Sequence, residues 1–488
     1  MTLAAPARTR AHAPMIEARP LRNPDASSVE VMTRRGWWLV VLNFLLPGSA
    51  QVLAGNRRLG RFGLGATLVM WTVLVLTGLF ALLSPSVLFA VATGSFIPDF
   101  LSWFRPLPLT LVQIVLVAYA VLWVVLTIDT LRLVRLVKVG PVARFGMTIV
   151  SVGLLVLSGS GAAWAAQAAG TTRDAFSELF AQSAAVVPPS DGYYNILLLG
   201  ADSGEGRDSM RFDSISVVSI NADTGATTIT GIPRDMPHFP FAPGPMQDEY
   251  PDGHTGYANA TCGWGSGINQ LRTEVEICQD GNLLYPDTKE RGTEPGIEAT
   301  KDAAEGIMGI QIPYYVLIDM KGFADVIDAL GGVDINVQER LPKGGPAYDG
   351  QPVDDWAFGW IEPGQQHMDG DTAQWYARSR YTTSDFDRMR RQRELQEAIL
   401  AQFTPQNVLT HFQDVASSTT NIIQTDLPQG LIAPTLVNLA LEAKDQPVNT
   451  LELTPEGGVD EFDPDYAQVQ QMVKDALHPP TGTESPAP

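Results

Sequence analysis

Residues 376–392 have the sequence Tyr-Ala-Arg-Ser-Arg-Tyr-Thr-Thr-Ser-Asp-Phe-Asp-Arg-Met-Arg-Arg-Gln, a stretch that is dense in arginine and begins a helix. From Asp385 to about Phe403 the apolar side chains recur with a period near 3.6, which predicts an amphipathic helix. At about 100° per residue, Asp385, Arg388 and Gln392 project onto the apolar face of that helix. Burying a charge costs several kcal/mol unless it is paired, so this face predicts either a buried salt-bridge network or a bound ligand.

The remaining side chains of this helix divide into a predicted core face and a predicted solvated face. The predicted core side chains are Met389, Leu395, Ile399, Leu400 and Phe403. The side chains predicted to face solvent are Arg390, Arg393, Glu394 and Glu397. Arg378 and Arg380, just upstream of the helix, add positive charge, so an anion is the natural ligand.

Charge divides the chain into two parts. Residues 1–168 contain 14 Lys and Arg against 5 Asp and Glu, a net charge of +9. The whole chain of 488 residues carries −20, so the difference, −29, lies in residues 169–488. The first part is basic and apolar, as a membrane region is, and the second is an acidic soluble domain. Its charge argues against DNA or RNA as a partner, because nucleic-acid binders need a basic surface.

Four apolar stretches follow a predicted disordered, cytoplasmic N-terminus at residues 1–35. They lie at about 37–54, 63–84, 107–131 and 145–167 and form a predicted membrane region at 36–168. The last three are long enough to cross a bilayer, which takes roughly 20 residues. The first is shorter and contains Asn43, Pro47-Gly48 and Gln51, which predicts a re-entrant or interfacial hairpin.

The basic loops decide the topology. Arginines follow the first stretch at residues 57–61, and further basic residues lie between the last two stretches at 132–144. If both loops and the N-terminus are inside, three helices cross and the acidic domain lies outside the cell. Four crossings, the alternative, would place that domain in the cytoplasm and violate the charge rule. The sequence therefore predicts a multi-pass protein of the cell membrane with an extracytoplasmic domain.

The acidic domain is predicted at residues 191–478, between a linker at 169–190 and a disordered tail at 479–488. Strands alternate with helices along it, which predicts an α/β fold: a mixed-sheet α/β/α sandwich preceded by transmembrane helices. Strands are expected at 194–200, 211–220, 227–232, 314–320, 333–337 and 450–453, and helices near 297–309, 320–330, 369–377, 405–415, 429–443 and 464–477. The segment 236–296 is predicted to be irregular.

The two cysteines, Cys262 and Cys278, both lie in the acidic part. Their spacing fits neither a zinc site nor a redox pair. An extracytoplasmic location predicts a structural disulfide between them, and two buried free thiols are the alternative.

Acidic and basic side chains collect where the first strands begin and end. Asp202 ends the first strand and Asp213 begins the second, so an antiparallel pairing makes them neighbours. Two carboxylates at one edge suit a hard divalent cation such as Mg²⁺ (or Mn²⁺), which also binds phosphate oxygens. Arg211 points to the same side as Asp213, and Arg234 ends the third strand.

Together with Asp385, this set contains three carboxylates and five guanidinium groups, and it matches the needs of a magnesium-bound pyrophosphate. The arginines are Arg211, Arg234, Arg378, Arg380 and Arg388. The alternative is that each Asp–Arg pair is only a salt bridge at the edge of the sheet.

Taken in order, several short segments over residues 194–400 resemble the LytR–CpsA–Psr family of cell-wall glycopolymer transferases. The matching segments are Asn195–Asp202, Arg211–Ile215, Ile232–Asp235, Tyr314-Tyr315 through Gly331-Gly332-Val333, Asp369-Gly370, Tyr376–Arg380, Asp385–Arg388 and Arg391-Gln392. As a set they are specific to the family, although each alone would be weak. One departure is Gly253–Ala260, which has no lysine where the family has a Lys-Ile-Asn-type segment.

The resemblance implies a membrane-anchored phosphotransferase that moves a glycopolymer from a polyprenyl-pyrophosphate carrier to a peptidoglycan hydroxyl, assisted by Mg²⁺. It implies that Asp202 and Asp213 hold the metal. It also implies that Arg234 neutralises charge in the catalytic step while Asp213 or Asp385 accepts the proton. The implied pyrophosphate-binding residues are Arg211, Arg234, Arg378, Arg380, Arg388 and Gln392.

Two other functions stay open at this point: hydrolysis of the carrier pyrophosphate by water, and a non-catalytic scaffold that binds wall lipids. The polymer itself, whether teichoic acid, arabinogalactan or capsule, is not identified by these residues. A transcriptional regulator conflicts with the predicted outside location and with the charge of −29, which is the difference between −20 and +9.

Overall fold

The structure is a computed structural model that describes residues 21–94, 96–97, 99–179, 186–202, 210–256, 267–348, 350–402, 423–443 and 446–479. The chain forms two compact units. One contains Met1–Leu83 and Leu109–Gly170, and the other contains Ser84–Pro108 and Thr171–Pro488.

The first unit contains the predicted membrane helices. Three helical segments are long and apolar enough to cross a membrane: Arg57–Leu83, Leu107–Lys138 and Pro141–Asp174. The last of these belongs to a helix that continues to Leu179, into the residues predicted as a linker.

The first apolar stretch forms two shorter helices, Val29–Leu45 and Ser49–Ala54, as the Pro47-Gly48 break predicts. Gly48 has a φ of 98°, and a Cβ atom there would collide with the backbone nitrogen of Leu64. Only glycine fits this turn.

Polar side chains of that hairpin donate hydrogen bonds inside the unit. Gln51 Nε2 donates to Thr130 Oγ1 at 2.9 Å, and Asn43 Nδ2 donates to Thr127 Oγ1 at 3.1 Å. Both acceptors lie on the helix Leu107–Val134. The residues that interrupt the first apolar stretch therefore fasten it to a neighbouring helix, because an unpaired polar group in an apolar medium costs several kcal/mol.

The second unit is built on a mixed sheet of six strands in the order β10-β3-β2-β1-β4-β9. The strands are β1 (Tyr193–Asp202), β2 (Arg211–Asn221), β3 (Thr227–Ile232), β4 (Tyr314–Asp319), β9 (Ile423–Thr425) and β10 (Asn449–Glu452). β1 pairs antiparallel with β2 and parallel with β4. This confirms the predicted mixed sheet and its first four strands.

Both faces of the sheet are covered, as the sandwich requires. Leu197 and Leu199 belong to a large core with the helix Pro295–Met308, whereas Ile196 packs in a separate cluster with Leu427. Alternate residues of one strand point to opposite faces, so β1 is buried from both sides.

Two small antiparallel ribbons stand apart from the main sheet. β5 (Val333–Val337) pairs with β8 (Gly364–Met368), and β6 (Leu341–Lys343) pairs with β7 (Gly359–Ile361). The strand predicted at 333–337 is correct. The other three lie where the sequence shows no regular pattern.

Most of the predicted helices of this unit occur close to the predicted positions: Pro295–Met308, Met320–Ala329, Gly370–Arg378, Asp385–Gln402, Val437–Glu442 and Tyr466–Leu477. The helices Pro85–Thr93, Pro245–Glu249 and Val353–Trp356 lie where the sequence predicts none. A π-helical turn, Ile432–Leu436, precedes Val437–Glu442. The helix predicted near 405–415 lies outside the described residues.

The segment 236–296 is not irregular throughout, because it contains several short helical turns. They are Pro245–Glu249, Ile268–Gln270, Leu271–Thr273, the π-helical Glu274–Cys278, Gly281–Leu284 and Thr288–Arg291. Cys262 lies outside the described residues, so its disulfide with Cys278 stays a prediction.

Candidate functional site

The helix Asp385–Gln402 begins with a reciprocal cap. The Ser384 hydroxyl accepts from the backbone N–H of Asp387 at 3.0 Å, and the Asp387 carboxylate accepts from the backbone N–H of Ser384 at 2.9 Å. The cap fixes where the helix starts and so places Asp385 and Arg388 in its first turn.

The inward face of this helix is polar where the sequence predicts it. Arg388 is almost completely buried, with 6 % of its side chain exposed, and Met389 and Leu395 are in the core. Leu400 was predicted in the core but is 40 % exposed, because it lies near the helix end, beyond the packed face. Phe403 lies outside the described residues.

Arg393 was predicted on the solvated face, and that prediction is wrong. Its side chain is only 3 % exposed, and Nε lies 3.1 Å from Glu452 Oε1 on β10. The partner comes from 59 residues further along the chain. The partly buried carboxylate of Glu452 therefore draws Arg393 inward over the sheet edge.

The arginine-bearing segments meet at one cavity of about 390 Å³. Three segments supply its charged wall: the start of β2, the end of β3, and residues 377–392. Its described lining is Gly200, Arg211, Asp213, Ser214, Arg234, Asp235, Asn269, Gln270, Gly344, Gly345, Trp375, Ala377, Arg378, Arg380, Tyr381, Arg388 and Gln392.

Every predicted pyrophosphate-binding residue lies on that lining, together with Asp213. Asp385 joins the site through its ion pairs. Asp202 pairs with Arg211 across the β1–β2 hairpin, beside an irregularity between Gly200 and Ala201. The Asp202 side chain is outside the described part of the structure.

Two carboxylates hold the arginines in a chain of ion pairs. Arg234 Nη1 donates to Asp213 Oδ1 at 2.6 Å, and Arg234 Nη2 lies 3.4 Å from Asp385 Oδ1. Asp385 Oδ2 accepts from Arg388 Nη2 at 2.9 Å, and Arg380 Nη1 lies 3.8 Å from Oδ1. Asp385 therefore contacts three guanidinium groups at once.

Burial acts to lower the pKa of the arginines Arg234 and Arg388, and the neighbouring carboxylates act to raise it. Burial, with the positive charges of Arg234 and Arg380, lowers the pKa of Arg388 to about 10 despite Asp385 and Asp213 nearby. Burial also acts to lower the pKa of Arg234, but Asp235, Asp385 and Asp213 outweigh it and raise that pKa. Burial therefore outweighs the nearby carboxylates at Arg388 but not at Arg234.

Three buried polar atoms of cavity-lining residues have no hydrogen-bond partner among the described residues: Nε of Arg234, which lies 3.4 Å from Asp235 Oδ2, Nε of Arg388 and Oε1 of Gln392. Buried polar groups are nearly always paired, so unpaired ones beside a cavity point to a ligand. Among the described side chains, five arginines and three carboxylates, Asp213, Asp235 and Asp385, leave two positive charges in excess. In a chain of net charge −20, this is a local site for an anion.

Arg391 is a residue of this region to which the sequence assigned no role. It donates from Nε to the Tyr376 carbonyl oxygen at 3.1 Å and from Nη2 to Thr383 Oγ1 at 3.1 Å, and its Nη1 lies 3.3 Å from Glu339. Arg391 therefore fixes the loop that carries Arg378 and Arg380. Its spacing, three residues after Arg388, is a signal for the same inward face.

Aromatic side chains also reach the cavity. Trp375 and Tyr381 line it, and the Arg378 guanidinium carbon lies 5.6 Å from the centroid of the Trp375 ring. Tyr381 is 49 % exposed, which is unusual for a large aromatic ring.

Among the described residues, Asp213 is a carboxylate at the cavity that suits a divalent cation. Its carboxylate lies at the cavity among arginines suited to phosphate, and Mg²⁺ binds through one or two carboxylates plus substrate phosphates. No group of three or more His, Cys, Asp or Glu side chains suited to a metal occurs among the residues that the structure describes. Such a cluster is not what a phosphate-bridged Mg²⁺ requires.

The chain was compared with curated proteins. A TagU of Bacillus mycoides (strain KBAB4), named a polyisoprenyl-teichoic acid–peptidoglycan teichoic acid transferase, is 25 % identical over 242 residues, covering 48 % of this chain and 60 % of that protein. A Bacillus cereus (strain ATCC 14579) protein of the same name is 26 % identical, again over 48 % of this chain and 60 % of that protein. The chain thus spans about three fifths of the length of these relatives.

Comparison with solved structures gives weaker similarity. The crystal structure of B. subtilis TagV is 21 % identical, with a TM-score of 0.38, and the match covers 58 % of this chain and 97 % of that one.

A family model gives the clearest result. The model of the LytR_cpsA_psr family matches residues 157–239 and 273–478, which is more than half of the chain. The matched residues include β1, β2 and β3 and the arginine-rich helix, and they leave out residues 240–272. The chain belongs to the LytR_cpsA_psr family.

Proposed function

We propose that this protein transfers a glycopolymer from a polyprenyl-pyrophosphate carrier to a hydroxyl of peptidoglycan. The observation that carries the proposal is the convergence of five arginines on one cavity with two positive charges in excess. Guanidinium groups bind phosphate oxygens bidentately, and two linked phosphates need several of them. The names of the curated relatives describe the same class of reaction.

The reaction is a displacement at phosphorus. The acceptor hydroxyl oxygen attacks the glycan-side phosphorus, the bond from that phosphorus to the bridging oxygen breaks, and polyprenyl phosphate leaves. A phosphodiester then joins the glycan to peptidoglycan. Phosphoryl transfer depends mainly on positioning the reactants and on neutralising charge. Arg234 and Arg388 would neutralise the negative charge that develops on the phosphate oxygens.

We propose that Asp213 or Asp385 accepts the proton of the acceptor hydroxyl. Both oxygens of Asp385 contact guanidinium groups, with Arg388 at 2.9 Å, so Asp385 also holds the arginines in position. Asp213 and Asp202 are the residues that would hold Mg²⁺ (or Mn²⁺), which supplies further charge neutralisation when bound.

The catalytic domain is proposed to face the outside of the cell membrane. Ser84–Pro108, which separates the first two candidate spans, belongs to the same compact unit as the sheet domain, and its helix Pro85–Thr93 contacts Ile432–Leu436. Three consecutive crossings would place the loop Ser84–Pro108 and the sheet domain on the same side of the membrane, in agreement with their membership of one unit. The basic loops on the other side identify that side as cytoplasmic.

The test supplies the full-length protein in detergent with a polyprenyl-pyrophosphate disaccharide, Mg²⁺ and soluble peptidoglycan strands. We expect glycan covalently attached to peptidoglycan and equimolar polyprenyl phosphate. Arg378 and Arg380 are exposed, so water reaches this side of the cavity, and hydrolysis is the second candidate. Free glycan phosphate as the only product would establish hydrolysis instead. Retention of the lipid without turnover would establish a binding scaffold.

A further inference from the structure

One wall of the cavity comes from a segment that the family match does not include. Asn269 and Gln270 line the cavity, and both fall in the unmatched residues 240–272. The charged wall opposite is built from matched residues. The arginines of the anion site therefore lie within the family match, and this wall lies outside it.

The wall is a fixed part of the domain. Ile268 N–H donates to the Met236 carbonyl at 3.1 Å, and Asn269 N–H donates to the Arg234 carbonyl at 3.0 Å. Ile268 and Leu271 are completely or almost completely buried in the main core. These contacts tie the wall directly to the residues that carry Arg234.

Close approach between the two segments needs a glycine. A Cβ atom on Gly267 would lie 2.8 Å from both the Arg234 carbonyl oxygen and the Asp235 Cα. A side chain there would push the segment away and move Asn269 out of position. The sequence Gly-Ile-Asn-Gln at 267–270 thus combines a close turn, a core anchor and two amides.

The chemistry of the wall differs from that of the arginines. Asn269 Nδ2 donates to Asp235 Oδ1 at 3.2 Å, which orients the amide and leaves Oδ1 as an acceptor. Gln270 is half-buried, and its side-chain amide makes no hydrogen bond within the described residues. Neutral amides offer both donors and acceptors, which match hydroxyl and acetamido groups better than they match phosphate.

An aromatic ring completes the same cavity. Tyr381 is exposed along one side, and Trp356 supports it with 5.0 Å between ring centroids and an interplanar angle of 64°. Gly345 leaves the space beside its hydroxyl open, since a Cβ there would lie 3.3 Å from that oxygen. An exposed ring with amides in one concave site is typical of recognition of a ligand with apolar and polar faces.

We propose that Asn269 and Gln270 form a subsite for an uncharged sugar carrying hydroxyl and acetamido groups, next to the phosphate that reacts. This rests on the proposed function and names the substrate class that the wall selects. The sugar is either the one attached to the pyrophosphate of the donor or the acceptor sugar of peptidoglycan, and one experiment separates the two sources.

The experiment compares two donor probes by calorimetry on the full-length protein in detergent. One is geranyl pyrophosphate, and the other carries N-acetylglucosamine on the terminal phosphate. The test variant is Gln270→Ala, with Gln270→Asn as the conservative variant. Gln279→Ala is the matched control, because Gln279 lies in the neighbouring turn and bonds to Glu249 and Glu274, away from the cavity.

If the sugar belongs to the donor, Gln270→Ala weakens binding of the sugar-bearing probe by about fivefold, as loss of one hydrogen bond predicts, and leaves the sugarless probe unchanged. If it belongs to the acceptor, both probes bind as to wild type and the KM for peptidoglycan strands rises by about fivefold. In either case Gln270→Asn recovers part of the loss and Gln279→Ala has no effect.

Unchanged binding of both probes together with an unchanged KM for peptidoglycan would overturn the subsite. Equal weakening of both probes would also overturn it, because the wall would then serve only to support the anion site. These outcomes differ from failure of the proposed function, in which wild-type protein itself gives no attachment of glycan to peptidoglycan.

Discussion

Arg234 Nη1 lies 2.6 Å from Asp213 Oδ1, while the other terminal nitrogen of the same guanidinium faces Asp385 at 3.4 Å. One arginine at the end of β3 thereby links the carboxylate at the start of β2 with the carboxylate at the start of the arginine-rich helix. The link joins two segments of the chain 151 residues apart. The link fixes the position of Asp213 relative to the buried Arg388.

Replacing Arg234 with alanine is expected to reduce attachment of glycan to peptidoglycan by at least about a hundredfold, because the charge that forms in the transition state loses its central donor. Arg234→Lys should recover little, since lysine lacks the planar fork. Arg340→Ala is the matched control: Arg340 is exposed and pairs with Glu362 outside the cavity lining. Initial rates measure all three, and wild-type rates in Arg234→Ala would contradict the assignment.

Asp385→Asn is expected to lower the free energy of unfolding by about 1–3 kcal/mol, because Arg388 loses its closest counter-charge in a buried position. Inorganic pyrophosphate should restore part of this loss by supplying negative charge to the same arginines. Thermal unfolding with and without pyrophosphate measures both effects. A wild-type protein whose Tm does not respond to pyrophosphate would argue against an anion site.

The Arg393–Glu452 ion pair should act on stability and not on ligand binding. Arg393→Met leaves the partly buried Glu452 carboxylate, which is 24 % exposed, without its ion-pair partner and is expected to cost about 1–3 kcal/mol in urea unfolding. Changing Glu452 to Gln in the same protein should recover much of that loss, since no buried charge then remains. The affinity for geranyl pyrophosphate should stay at the wild-type value in any folded variant. A large change in that affinity would place Arg393 in the ligand site.

Asp302 gives a pH-dependent prediction. Burial raises the pKa of this carboxyl to about 6, with Glu305 and Glu298 acting in the same direction, although the Tyr285 hydroxyl donates to it at 2.5 Å. Between the ordinary value of 3.8 and about 6, the folded protein binds more protons than the unfolded chain. This group therefore lowers the free energy of unfolding as the pH rises through that range.

Asp302→Asn removes the charge and keeps an acceptor for Tyr285. We expect the variant to be more stable than wild type at pH 7.5, by about 1–2 kcal/mol, and to lose that advantage near pH 4. Urea unfolding at both pH values measures the difference. Equal stabilisation at both values would show that the charge of Asp302 is not the cause.

The topology can be tested by labelling single cysteines on intact cells. Phe96→Cys and Val137→Cys place thiols at exposed positions, the first between the first two candidate spans and the second at the C-terminal end of the second candidate span, Leu107–Lys138. A membrane-impermeant maleimide should label the first and should label the second only after lysis. The reverse pattern would place the sheet domain in the cytoplasm. The unsubstituted protein controls for labelling of Cys262 and Cys278.

Short-range patterns predicted much of this molecule. Spacing along one helix is enough to place Arg388 and Gln392 inward, because a helix fixes which side chains share a face. The first two strands are likewise joined by a short connection, so their pairing follows from the order of the chain. The mixed sheet and the three long apolar helices follow from such patterns.

Long-range packing explains what the sequence does not reveal. Arg393 is buried because Glu452 approaches from another strand, and no local pattern around Arg393 shows that partner. Asn269 and Gln270 reach the cavity because Ile268 and Leu271 enter the core within a segment that reads as irregular. β6 and β7 have three residues each, too few for an alternating pattern to be visible.

The measurement that tests the central claim most directly is the identity of the two products of one turnover. Wild-type protein is incubated with a donor carrying ³²P in the glycan-side phosphate, together with Mg²⁺ and peptidoglycan strands. We predict ³²P bound to peptidoglycan through a phosphodiester, one unlabelled polyprenyl phosphate released for each bond formed, and no reaction with Arg234→Ala. Label found only in soluble glycan phosphate, or retained in the intact lipid, would contradict the account.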